Sequence, residues 1–304
     1  MTNDIVKPVS NILEDNRFHS NGCEVNIVHQ CNLSCRGCSH LSPVADKMFI
    51  SPDIVYRDLS LLSKYYTAKN VRLLGGEPLL HRDLLQVIDA VRASTITNCI
   101  RILTNGVLLS KMTDAFWESV DEVYVSLYPE VKLDPAQLEY IEIAAREYNV
   151  SLEIREFSRF REAYSEIGTY NEQLVQRIYN TCQIAHVWKC HTIHDGRFYR
   201  CPQSVFLRTT ITEASLPDEG LIIDSGEDFG QQLKEYLERD LPFKACTYCL
   251  GSAGKAFTHT RVARNDWRGL QNKPTEELLD QAYLERLEQD IHSDFNCIET
   301  VRRQ

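Results

Sequence analysis

The chain has 304 residues, 43% hydrophobic and 25% charged, with a formal net charge of −10. Such a balance fits a folded globular protein and argues against a general nucleic-acid binder, which carries a basic face. No run of 18 apolar residues occurs, so no transmembrane helix or membrane partner is expected. The first residues, MTNDIVKPVSNILEDN, lack the apolar stretch of a secretory signal, which points to the cytoplasm. There, metal binding is a better use for eleven cysteines than disulfides.

Residues 25–28 read as a first strand, running into the loop HQCNLSCRGCSH with Cys31, Cys35 and Cys38. Three thiolates at C-x3-C-x2-C spacing can hold a metal centre but leave it one ligand short. Zinc would complete its tetrahedron with His29 or His40; a four-iron cluster would keep one iron open. Ser51 as N-cap and Pro52 open a helix expected over 52–66. Residues 70–74 form a second strand that ends in Gly75-Gly76-Glu77-Pro78, where adjacent glycines permit close backbone approach. A helix over 81–92 follows, apolar on one broad face. Residues 99–103 are a third strand, closing in the turn Thr104-Asn105-Gly106. Then come a helix over 111–119, a strand over 122–127 with Ser126 near its end, and a helix over 135–148. A fifth strand over 150–157 carries Arg155, a helix spans 171–179, and residues 185–188 are expected as a sixth strand. Repeated βα units imply a parallel sheet, and six of them a partial (βα)6 TIM-like barrel. Ligand sites in such folds lie at the C-terminal ends of the strands. The cysteine loop, Gly75 to Glu77, Asn105, Ser126 and Arg155 all fall there.

The cysteine loop after the first strand and the GGEP after the second resemble those of the radical S-adenosylmethionine (SAM) superfamily. That resemblance implies a [4Fe-4S] cluster on Cys31, Cys35 and Cys38 whose open iron takes SAM. It implies that Gly75, Gly76 and Glu77 hold the SAM amino group, with Asn105, Ser126 and Arg155 as further cofactor contacts. Arg155 is equally placed to be a surface ion-pair partner of Glu153. The residue before the third cysteine, often aromatic in the family, is Gly37 here. The adenine contact then falls to His40, to an aromatic from elsewhere, or to backbone.

A second cysteine group follows: Cys182, Cys190, Cys201, Cys246 and Cys249. The pair in CTYC suits two ligands on one metal, and HTIHDGRFYRCPQS reads as a hairpin turning at Asp195-Gly196. With a helix over 229–239, this arrangement resembles the twitch module, a shortened SPASM domain. The likeness implies a second [4Fe-4S] cluster on Cys182, Cys201, Cys246 and Cys249, with structural zinc on the same ligands as the alternative. It divides the chain into a barrel, 1–181, and a small C-terminal auxiliary-cluster module, 182–304. The module is closed by a docking helix over 274–294, and only Cys297 is left beyond it, too few for another cluster. His186, His191 and His194 flank the group.

In the family, a reduced cluster cleaves SAM to a 5′-deoxyadenosyl radical that abstracts a hydrogen, with electrons from a donor such as flavodoxin or ferredoxin. About 22 residues precede the first strand, too few for a peptide-recognition domain with its own core. A small-molecule substrate is therefore expected. The layout resembles enzymes that dehydrogenate or epimerise sugars and aminocyclitols. The expected activity is hydrogen abstraction from a carbinol C–H of a sugar or cyclitol, giving epimerisation or dehydrogenation; modification of a ribosomally made peptide is the alternative. An epimerase needs a hydrogen donor, and Cys190, the surplus thiol, is the candidate catalytic residue.

Overall fold

A computed structural model of the chain describes residues 17–131, 133–211 and 215–289. Five parallel strands follow one another across the main sheet in chain order. They are β1 (Cys23–Val28), β2 (Val71–Gly75), β3 (Ile100–Thr104), β4 (Glu122–Leu127) and β5 (Ser151–Glu156). Helices α1 (Pro52–Leu62), α2 (Leu84–Ala93), α3 (Asp114–Ser119) and α4 (Pro135–Glu147) make the crossovers. Ser51 accepts a bond from the Asp53 amide to cap α1, and Asp134 and Gln137 form a capping box on α4.

One set of alternate strand positions is apolar. Val25, Ile27, Leu73, Ile102, Val123 and Val125 pack on Val55, Leu59, Val87, Phe116, Trp117 and Ile141 from the helices. The intervening positions carry ion pairs instead: Arg72 with Glu24 at 3.6 Å, Arg101 with Glu122 at 2.5 Å, and Arg155 with Glu153. The sheet thus has an oily side that binds the helices and a charged side that is the concave face of an open barrel.

The six-stranded parallel barrel is present, but its sixth strand is not where the sequence suggests. Residues 185–188 lie in and just beyond a short helix: after α5 (Glu172–Asn180), α6 (Gln183–His186) forms because His186 N and Val187 N bond back to the carbonyls of Cys182 and Gln183. The sixth strand is β6 (Thr192–His194), the first arm of the predicted hairpin. It pairs parallel with β1, Glu24 opposite Thr192, so it closes the edge beside the first strand rather than following the fifth. Its partner β7 (Arg197–Tyr199) returns antiparallel through Asp195 at φ 44° and Gly196 at φ 75°, the left-handed pair of a type I′ turn. The helix expected over 52–66 stops at Leu62; Tyr66 belongs to a short strand paired with Phe18–Ser20 and is fully buried.

Helices α7 (Gln203–Thr210) and α8 (Phe229–Glu238) follow the hairpin. Two smaller apolar clusters lie in this half. One joins Leu41 and Cys38 of the cysteine loop to Tyr164, Phe206 and Trp267. The other joins Leu174 and Ile178 of α5 to Leu250, Leu278 and Leu284. The tail helix expected over 274–294 is two pieces, Thr275–Leu278 and Gln281–Gln289; its last residues and Cys297 lie outside the described residues. Among the described residues no helix is long and apolar enough to cross a membrane.

Candidate cofactor-binding site

The cysteine loop leaves the carboxyl end of β1 and is stitched to a distant part of the chain. Arg36 N bonds to the carbonyl of Thr260 at 2.9 Å, and Val262 N to that of Ser34 at 2.9 Å. Arg264 donates to the Cys31 carbonyl at 2.9 Å and the Trp267 indole N–H to the Cys35 carbonyl at 2.8 Å. Trp267 is fully buried and stacks on Tyr164, with centroids 5.9 Å apart. Arg36 pairs with the buried Glu162. Residues 256–267 therefore form a wall of the cysteine loop, although no motif in FTHTRVARNDW marks them.

The GGEP turn sits against the same loop. A β-carbon on Gly76 would lie 2.0 Å from the Gln30 carbonyl oxygen, and one on Gly75, at φ 132°, 2.2 Å from that of Val28. Both glycines are demanded by the contact between the ends of β1 and β2. Glu77 is fully buried, and its carboxylate accepts from Thr104 Oγ1 at 2.6 Å, Asn105 N at 2.9 Å and Leu79 N at 3.2 Å. Burial pushes this carboxyl up to about 7 against those bonds. Glu77 can meet a SAM ammonium through its carbonyl or its carboxylate; the carboxylate already accepts from three protein donors and braces the β2 end to the β3 end. Asn105 carries that brace to the cysteines, its side-chain amide donating to Asn32 Oδ1 at 2.7 Å and reaching Cys31 Sγ at 3.7 Å.

Burial holds the Cys31 thiol up to about 12 and raises that of Cys35 as well. Thiolates form here only against a bound cation, whose charge reverses the balance. Among the described residues no three His, Cys, Asp or Glu side chains converge closely enough to hold a single metal ion. A four-iron cluster does not require that, since each thiolate meets its own iron. His29, the proposed fourth zinc ligand, lies within hydrogen-bond distance of the Asp46 carbonyl and stacks on His194 at 5.5 Å, while His40 meets Phe206. Gly37, at φ 65°, has the ring of Phe257 against it, so an aromatic is present there but comes from the C-terminal half.

Ser126 sits beside the Tyr128 hydroxyl at the end of β4. Arg155 is engaged by Glu153 and lies over Tyr124 at 5.7 Å. The second cysteine group gathers: Cys182, Cys201, Cys246 and Cys249 line one cavity together with Phe243 and Arg200. Cys190 is not among its lining residues. Its thiol lies beside Glu24 near the amino end of β1, the opposite end of the strand from the cysteine loop. The structure thus places Cys190, the expected hydrogen donor, apart from the cysteine loop. His191 meets the Tyr66 hydroxyl at 2.8 Å, and His186 accepts from Arg200.

Residues 25–128 match the model of the Radical SAM superfamily. This stretch is similar to that superfamily, which implies a [4Fe-4S] cluster and SAM. A probable GTP 3′,8-cyclase from Sulfurisphaera tokodaii is 37% identical over 108 residues, 34% of this chain and 33% of its own length. The GTP 3′,8-cyclase of Listeria monocytogenes is 30% identical over 107 residues, 34% of this chain and 32% of its own length. Molybdenum cofactor biosynthesis protein 1 of Dictyostelium discoideum is 33% identical over 103 residues, 33% of this chain and 16% of its own. The chain thus spans about a third or less of the length of these curated relatives. A solved structure, BtrN in complex with AdoMet and 2-DOIA, overlaps 75% of this chain and 92% of its own at 16% identity. Its TM-score of 0.38 is too low to bear on fold or activity. These relatives correct the expected chemistry. Two are named as cyclases of GTP and the third as a molybdenum cofactor biosynthesis protein, none as an editor of sugars, cyclitols or peptides, so both the epimerase or dehydrogenase reading and the peptide alternative are set aside.

Proposed function

We propose that the chain is a radical SAM enzyme acting on a small molecule, with a purine nucleoside triphosphate as the first substrate class to test. The cofactor reading rests on one observation: Glu77 and Asn105 tie the GGEP turn, the β3 end and Cys31 into one hydrogen-bonded unit. Cys31, Cys35 and Cys38 would hold the cluster, and Gly75, Gly76, Asn105 and Ser126 would shape the SAM site beside it. Bound there, the pair supplies one-electron cleavage of SAM and a carbon radical that takes a hydrogen from substrate. Phe257 and Tyr128 offer aromatic faces near the loop, and Trp267 and Tyr164 exclude water from its underside. Arg261 and Arg264 line a cleft with Ser34 and Glu130; guanidinium groups suit the phosphates of a nucleotide. Residues 182–304 would contribute a second metal centre through Cys182, Cys201, Cys246 and Cys249. A one-electron donor such as flavodoxin or ferredoxin is required.

The test is anaerobic reconstitution followed by dithionite, SAM and GTP, with 5′-deoxyadenosine and GTP followed by mass spectrometry. The cofactor reading expects 5′-deoxyadenosine from the wild type and none after Cys31, Cys35 and Cys38 are replaced by Ala. Equal SAM cleavage in that variant rejects it. SAM cleavage that GTP neither accelerates nor diverts to a new product rejects the nucleotide while leaving the cofactor reading intact.

A further inference from the structure

Arg200 is 6% exposed, follows the end of β7 and lines the cavity shared by Cys182, Cys201, Cys246 and Cys249. Its contacts are all neutral. Nη1 donates to the Arg239 carbonyl at 3.0 Å, and Nη2 to Nδ1 of His186 at 3.2 Å, while the other ring nitrogen of His186 reaches the Tyr179 carbonyl at 2.7 Å. Nε is buried without a partner. Among the described residues no carboxylate forms an ion pair with it; the paired arginines of this half are Arg197, Arg208 and Arg239. A nearby charged side chain, Lys189, is also a cation and so worsens the imbalance.

A buried guanidinium without an anion is costly, because desolvation is not offset by Coulomb attraction. The groups that can turn anionic beside it are the thiols of the cavity. Four thiolates on a four-iron cluster, each on its own iron, leave the centre with net negative charge.

We infer that Arg200 is the buried counter-charge of an anionic tetrathiolate metal centre held by Cys182, Cys201, Cys246 and Cys249. This rests on the proposal that those cysteines bind metal, and it adds a positioning residue that favours the loaded, negatively charged state. The neutral bonds to Arg239 and His186 aim the guanidinium but do not balance it.

The test uses the full chain with Arg200→Gln and Arg200→Lys, and reads metal content, retention against a chelator, and melting temperature with and without metal. Arg200→Gln is expected to lose metal about 10–100-fold more readily, as loss of an outer partner does at other metal sites. Metal loading should raise the melting temperature of the wild type more than that of Arg200→Gln, and the metal-free variant should be at least as stable as metal-free wild type. Arg200→Lys should recover most of the retention. Equal destabilisation of loaded and metal-free forms by Arg200→Gln, failure of that variant to fold in either state, or unchanged retention would overturn the inference and leave Arg200 a structural anchor. A Cys182→Ala, Cys246→Ala variant separates the underlying reading: undiminished metal content there means that no centre exists at these cysteines. Iron with matching sulfide in the wild type, diminished in that variant, identifies the centre that Arg200 balances as a four-iron cluster.

Discussion

The Phe257 ring stands where a side chain on Gly37 would be: a β-carbon there would lie 2.7 Å from Phe257 Cζ. The same ring carries the Arg36 guanidinium at 4.2 Å from its centroid. The loop thus takes its aromatic from a strand more than 200 residues away in sequence. Gly37→Phe is expected to abolish iron retention, because φ 65° disfavours a side chain and the space is taken. Phe257→Ala should weaken SAM binding while the cluster stays. The double variant should recover part of the iron lost by Gly37→Phe, since the two positions share one space. Strictly additive losses in iron content would refute the shared-space account.

Glu77 gives a pH signature. Its carboxyl is raised to about 7 from an ordinary 4.5, by burial. A raised folded-state value means that the folded protein binds the proton more tightly than the unfolded chain. Its contribution to stability is fully present below about 4.5 and is lost as pH rises to about 7. Glu77→Gln removes the titration, so the difference in urea stability between wild type and variant should change across that window and be flat above it. At neutral pH the variant should still be less stable by about 1–3 kcal/mol, because an amide cannot satisfy all three donors. A pH-independent difference would show that Glu77 does not titrate in that range.

Arg155 was equally readable as a ligand contact or a surface ion pair, and its engagement by Glu153 at a half-exposed site supports the second. Arg155→Ala should change stability by about 0–1 kcal/mol and leave SAM cleavage within a few-fold of wild type. A loss of SAM affinity of a hundredfold or more would restore Arg155 to the cofactor site.

The strands of the barrel were legible because their apolar alternation and turn residues are local. So were the cysteine loop, the GGEP turn and the Asp195-Gly196 hairpin. What was hidden is long-range. Nothing local tells that β6 pairs with β1 instead of β5, since that register is set by Glu24 meeting Thr192 across the sheet. Nothing in residues 256–267 announces a wall for Cys31 and Cys35, because the bonds made there use backbone carbonyls. Glu77 is a related case: its chemistry suits an ammonium ligand, and only the fold reveals that Thr104, Leu79 and Asn105 also reach its carboxylate.

Gly76 offers the sharpest separation between a structural and a ligand-contact role for the GGEP turn. Its amide donates to the Val28 carbonyl at 2.7 Å, and an added β-carbon would meet the Gln30 and His29 carbonyl oxygens at 2.0 and 2.6 Å. Those atoms are backbone and cannot swing aside, so Gly76→Ala must push the β1 and β2 ends apart. Overpacking of this kind costs about 1–3 kcal/mol. Because Gln30 adjoins Cys31, iron retention should fall although no cysteine has changed. Gly269 is the control: it sits at φ 88° with nothing within 4 Å of an added β-carbon. Gly269→Ala should cost only the left-handed backbone strain, about 1–2 kcal/mol, with iron content unchanged. Urea unfolding and iron assay on the two variants decide the matter. Full iron retention in Gly76→Ala, with only SAM affinity lost, would mean that the glycine serves the ligand rather than the junction of the two strand ends.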